Sequence, residues 1–72
     1  MKKIIVNRLL NGEINTIIGT LDLSNFTYTE EWYFNGIITR KEIQYNKNSN
    51  DAQYDFDLAC KVLGKETNII HL

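Results

Sequence analysis

Long apolar runs are missing from this 72-residue chain, and none approaches the roughly 18 residues that would span a bilayer. Met1-Lys2-Lys3 leads into only three apolar residues before Asn7, too few for the hydrophobic stretch of a signal peptide. The expected location is therefore the cytoplasm, with no membrane partner. Cysteine is nearly absent too. Cys60 stands alone, so no internal disulfide forms, which suits a reducing compartment. With His71, the single imidazole, it supplies only two side chains toward the four ligands of a structural zinc, and no metal is expected. Glycine is sparse and scattered: Gly12, Gly19, Gly36 and Gly64 lie far apart, whereas a phosphate-cradling loop clusters glycines at a strand-to-helix junction. Nucleotide enzymes of the Walker and Rossmann types are excluded, and no cofactor is expected. Nor is there an excess of charge. A net charge of −1 with 24% charged residues argues against both intrinsic disorder and a polycationic nucleic-acid tail.

What the chain does have is 43% hydrophobic residues, enough for one thin core. A chain of this size buries only about 60% of its unfolded surface, so a single small domain over residues 1–72 is expected. Asn, Ile, Lys, Tyr and Phe supply 32 of the residues, against 8 for Gly, Ala, Arg and Pro. That bias toward A/T-rich codons points to a low-GC bacterium, or to a virus or mobile element living in one.

Two Asn-Gly pairs organise the first half. Asn11-Gly12 lies between Lys3–Leu10 and Glu13–Ile18, and Asn-Gly accepts the two positive φ angles of a type I′ hairpin turn. A hairpin over about residues 2–20 follows. Ile4, Val6 and Leu10 share one face in alternation, as do Ile14 and Ile18, so one face is core and the other partly wet. After a connection at Asp22–Asn25, the aromatic and β-branched run Phe26–Phe34, then Asn35-Gly36, then Ile37–Tyr45 read as a second hairpin over about 26–45. Thr29-Glu30-Glu31-Trp32 leaves an alternative open, a helical turn capped by Thr29 with Asn35-Gly36 as its C-cap. Asn46–Asn50 is a polar loop. The one good helix runs over about 50–64, with Asn50 as cap, Gln53 in the capping-box position, acids Asp51, Asp55 and Asp57 early, Lys61 and Lys65 late, and Gly64 at the C-cap. Ala52, Phe56, Ala59 and Leu63 form its apolar stripe, with Cys60 and Val62 beside them, and Asp57 and Lys61 are spaced as an i,i+4 pair. Thr67–Leu72 closes the chain as a short edge strand. The fold class is α+β: two antiparallel hairpins and a short last strand, with one helix packed on the sheet.

The chemistry-bearing residues argue for binding rather than catalysis. Cys60 sits in the second half of its helix, the negative end of the dipole, which disfavours a thiolate. His71 is on a different element and reads as an ordinary strand residue. Asp51 and Asp55 share a helix face, and the macrodipole accounts for acids there; a partner-facing acidic spot is the sharper alternative. Asn46, Asn48, Asn50 and Asp57 match positions 1, 3, 5 and 12 of an EF-hand loop, but Asp51 stands where that loop requires glycine. Phe26, Tyr28, Trp32, Tyr33 and Phe34, followed by Arg40 and Lys41, resemble a base-stacking sheet in composition. Glu30 and Glu31 interrupt the run, and the chain is slightly acidic, so nucleic acid is an unfavoured partner. Strict alternation places Phe26, Tyr28, Trp32 and Phe34 on one face and Tyr33 on the other, leaving an aromatic ring for an interface.

The expected function is that of a small non-enzymatic binding protein that inhibits or regulates a larger protein by occlusion, such as a phage or mobile-element inhibitor of a host or defence enzyme. Its expected binding residues are Tyr28, Trp32, Tyr33, Arg40, Lys41, Asp51 and Asp55. An oligomeric binder of a small ligand or nucleotide signal, using Arg40, Lys41 and tyrosines, is the alternative, followed by a weak single-stranded nucleic-acid binder. A sheet this small has exposed edges, and a homodimer is one expected use of them.

Overall fold

In a computed structural model, the backbone is described for residues 1–10, 12–64 and 68–71, and side chains for 1–8 and 12–64. Strand β1 (Lys2–Leu10) turns into β2 (Glu13–Asp22), then β3 (Thr27–Phe34), β4 (Ile37–Tyr45), helix α1 (Ser49–Leu63) and β5 (Asn68–His71). The strands form one antiparallel sheet in the order β4-β3-β2-β1-β5, with α1 packed across β2 and β3. This is the α+β arrangement expected from the sequence, both hairpins included.

The turns follow from their residues. Asn35 and Gly36 have φ of +48° and +81°, and Gly12 has +78°, as type I′ geometry demands; Asn11, the other half of the first turn, lies outside the described residues. Residues 29–34 are strand, so the helical-turn alternative falls away. The helix cap moves. Asn48, with extended backbone, accepts from Asp51 N–H at 2.9 Å, and the helix starts at Ser49 rather than after Asn50. Three asparagines alternate here, and the strand–helix geometry selects the middle one. Gly64 is the C-cap, its N–H donating to Cys60 O at 2.9 Å, but with φ −67° it makes no use of glycine's left-handed freedom. The Asp57 carboxylate accepts from Gln53 Nε2 at 2.8 Å. Of the last strand, Asn68–His71 pairs with β1 at the sheet edge; Lys65, Thr67 and Leu72, and the side chains of Leu10 and His71, lie outside the described residues.

Register decides what each face holds. On the helix side, cross-strand rows read Lys2–Leu21–Tyr28–Gln44, Ile4–Gly19–Glu30–Glu42 and Val6–Ile17–Trp32–Arg40. Ile4, Val6, Ile17 and Leu21 are at most 1% exposed and pack with Tyr28, Ala52, Phe56, Ala59 and Leu63. The helix stripe of Ala52, Phe56, Ala59 and Leu63 is as expected, with Cys60 packed beside it, but Val62 points away from the core and is exposed. In β2, however, Ile17 and Leu21 enter the core, and Ile14 and Ile18 fall on the reverse face with Ile5, Thr16, Thr20, Thr29 and Tyr33. Gly19 is in the core row for a steric reason. A Cβ there would sit 2.6 Å from Tyr28 Oη and 2.9 Å from Ile4 Cγ2, so only glycine lets the Tyr28 ring lie across β2. That ring meets Phe56 edge-on, centroids 6.2 Å apart.

Two irregularities shape the second hairpin. Phe26 belongs to the β2–β3 turn, with φ +56°, so it leaves the alternation that links Tyr28, Trp32 and Phe34. In that turn Asp22 Oδ1 accepts from Ser24 N and Oγ, and Oδ2 from Asn25 Nδ2. In β4, Trp32 pairs with Arg40 but Tyr33 with Ile38, making Thr39 the extra residue of a β-bulge. Its hydroxyl donates to Trp32 O at 3.3 Å.

Candidate functional site

Helix α1 covers β2 and β3 and leaves the helix-side row of β4 bare, so a groove of about 420 Å³ opens between the helix flank and the second hairpin. Its floor is Tyr28, Glu30 and Trp32 from β3 with Glu42 and Gln44 from β4; its wall is Asp55, Leu58, Ala59, Val62 and Leu63 from α1; Arg8 closes one end. Two wall residues are large, apolar and open to solvent: Leu58 is 46% and Val62 56% exposed.

The polar groups on the floor hold one another. Glu30, which the sequence presents as an interruption of the aromatic run, is its organiser. Two residues either way along a strand return to the same face, so the Glu30 carboxylate accepts from Tyr28 Oη at 2.7 Å and from Trp32 Nε1 at 3.3 Å. Burial, then Glu30, pushes the Tyr28 hydroxyl far above its ordinary value, so it stays a donor. Glu42 faces Glu30 across the strands, a like-charge pairing that is unfavourable alone. It is relieved by Arg40, whose guanidinium donates to Glu42 Oε1. Asp55 accepts from Asn46 Nδ2 at 2.9 Å. Trp32 lies beneath two cations, with the Arg40 and Arg8 guanidinium carbons 5.2 and 5.8 Å from its ring centroid, within cation–π range.

Of the residues singled out from the sequence, the fold brings Tyr28, Trp32 and Asp55 into this groove, with Arg40 beside it over the Trp32 ring. Tyr33 and Lys41 are on the opposite face, where Lys41 pairs with Glu31 across the strands and Tyr33 Oη donates to Glu31 at 3.3 Å. Desolvation and the Glu31 charge raise the Tyr33 hydroxyl. Asp51 is exposed in the first turn of α1. Cys60 is half-buried against the core, and burial pushes its thiol up, away from a reactive thiolate.

Sequence reading missed Arg8, Glu30, Glu42, Leu58 and Val62. The last two had a signal: with Asp55 they form a second stripe at i, i+3 and i+7 on α1, beside the core stripe. Among the described residues no group of three or more His, Cys, Asp or Glu is placed to hold a metal ion, and no helix is long and apolar enough to cross a membrane. The chain matches no known family model, no curated protein and no solved structure.

Proposed function

We propose that this chain acts by binding a larger protein without catalysis, and that it inhibits or regulates that protein by occluding the surface it covers. The observation that carries the reading is the exposed pair Leu58 and Val62 standing over the floor of Trp32. A large apolar side chain from a partner has a bed there, and the carboxylates of Glu30, Glu42 and Asp55 favour a basic neighbour. Tryptophan and arginine in a partly desolvated pocket are the residue types that anchor interfaces. The excess of amino acids whose codons are A/T-rich supports a setting in a low-GC bacterium or one of its viruses, where an inhibitor of a host or defence enzyme is the natural form of the reading.

The experiment uses the tagged full chain as bait in a low-GC bacterial lysate at low and high salt, beside a Leu58→Asp variant. Leu58 is exposed, so the variant keeps the circular dichroism of the parent. One dominant protein retained in high salt by the parent and lost by Leu58→Asp is the expected result. Equal retention by both rejects the groove as the site, and a retained 260 nm absorber without protein rejects the protein-binding reading.

A further inference from the structure

We propose that this chain pairs with a second copy of itself along β4, in a register centred on Ile43 that joins two sheets into one continuous sheet. This goes beyond the groove and stands on a different observation. Strand β4 is an outer strand of the sheet, nine residues long and exposed throughout, with Ile43 42% and Tyr45 79% exposed. Long outer strands leave a row of backbone donors and acceptors open to pairing unless proline, charge or a bulge blocks them. Strand β4 has no proline, and its lysine, Lys41, lies opposite Glu31 within the chain.

The bulge fixes where pairing can occur. At Thr39 it breaks the alternation, which leaves 40–45 as the regular stretch. A two-fold axis normal to the sheet keeps each residue on its own face, so facing residues must be of like parity, and the axis passes beside one residue. Centred on Glu42, the pairing opposes two carboxylates, which is unfavourable. Centred on Ile43, every pair is compatible: Ile43 meets Ile43 of the second copy, Glu42 meets Gln44 twice, and Lys41 meets Tyr45 twice. The isoleucines and tyrosines lose solvent on the reverse face, and the amide of Gln44 donates to the Glu42 carboxylate on the helix face. Both helices then lie on one side, and the two grooves open toward each other across β4. A contact of one strand pair belongs to the weak, reversible class, below about 1,200 Å² in total.

The test combines cross-linking with sedimentation. In a Cys60→Ser background, Ile43→Cys places two thiols on the axis, with Cα atoms about 4.5–5.5 Å apart, inside disulfide range. Lys41→Cys places them about 14 Å apart, outside it. Mild oxidation is expected to give covalent dimer from Ile43→Cys much faster than from Lys41→Cys. In sedimentation velocity over a wide concentration range, Gln44→Lys adds two Lys–Glu pairs and tightens association by roughly tenfold, while Gln44→Glu weakens it by a similar factor. Equal cross-linking at 41 and 43 overturns the proposal. So does a strictly monomeric Gln44→Lys, and so does a dimer indifferent to both Gln44 variants, which would use another surface.

Discussion

The two hairpins are built with the same device and put to different uses. Each has Asn-Gly between its strands in the sequence, and each presents alternate residues to the helix side of the sheet. In β1–β2 the middle of that face is Ile4, Val6, Ile17, Gly19 and Leu21, all buried in the core, with Lys2 at one end and Arg8 and Asn15 at the other lying outside it. In β3–β4 that face holds Tyr28, Glu30, Trp32, Arg40, Glu42 and Gln44, and only Tyr28 is fully buried. One helix is wide enough for about two strands; it lies over β2 and β3, the inner strand of each hairpin, and leaves the helix-side row of β4 open. The difference teaches that burial falls away across the sheet from the first hairpin toward β4, and that the groove exists because the sheet is wider than its cover.

The largest effect that would break this division is a loss of stability from the second hairpin matching one from the first. Ile4→Ala removes a fully buried side chain and is expected to lower stability by about 2–5 kcal/mol, a large share of what a small domain has. Gly19→Ala forces Tyr28 and Ile4 apart and lowers it by about 1–3 kcal/mol. Ile43→Ala, on exposed β4, stays within about 0.5 kcal/mol. Urea unfolding of the three in dilute solution checks the order, and an Ile43→Ala effect equal to that of Ile4→Ala would erase the distinction.

A smaller effect sharpens the boundary between the halves. Phe26, in the turn joining them, holds a left-handed backbone that an L side chain adopts at a cost. Phe26→Gly relieves it and is expected to raise stability by about 0.5 kcal/mol, after the greater freedom of glycine in the unfolded chain is counted. Thermal melts of the two proteins measure the sign directly.

The smallest effect is in pH. Asp22, at the same turn, is held below its ordinary value of 3.8, first by the Ser24 hydroxyl and then by the Asn25 side-chain amide. A carboxyl whose folded pKa is depressed contributes stability that is complete above its unfolded value and is lost as pH falls through the folded one. The parent is therefore more stable than Asp22→Asn near neutrality, and the two melting curves converge as pH drops below 3.8. A constant gap at all pH values would remove the carboxylate from the turn's stability.

Most of the fold was legible because its signals are local. Asn-Gly dictates positive φ, and Ala52, Phe56, Ala59 and Leu63 repeat at helical spacing. The cap fell on Asn48 instead of the expected Asn50 because both are asparagines of one polar loop and nothing local distinguishes them. Phe26 broke its alternation because a turn claimed it. The site was half legible. Trp32, Tyr28, Arg40 and Asp55 stand out by residue type, and alternation already sets Tyr33 on the other face; Lys41 went unseparated from Arg40 because the bulge at Thr39 decides which of the two faces the helix. Arg8 comes from a strand two positions away in the sheet, and no spacing in the chain announces that neighbour. Glu30 was visible but misjudged, since a charge between aromatics looks like an interruption until i±2 hydrogen bonds are considered.

The most direct test of the central claim is amide hydrogen exchange of this chain, free and bound to the protein it captures. Added protection on β3, on β4 and on the α1 turns carrying Leu58 and Val62, with β1 and β2 unchanged, is the expected result. Protection gained on β1 and β2 alone would contradict the assignment of the second hairpin as the working surface.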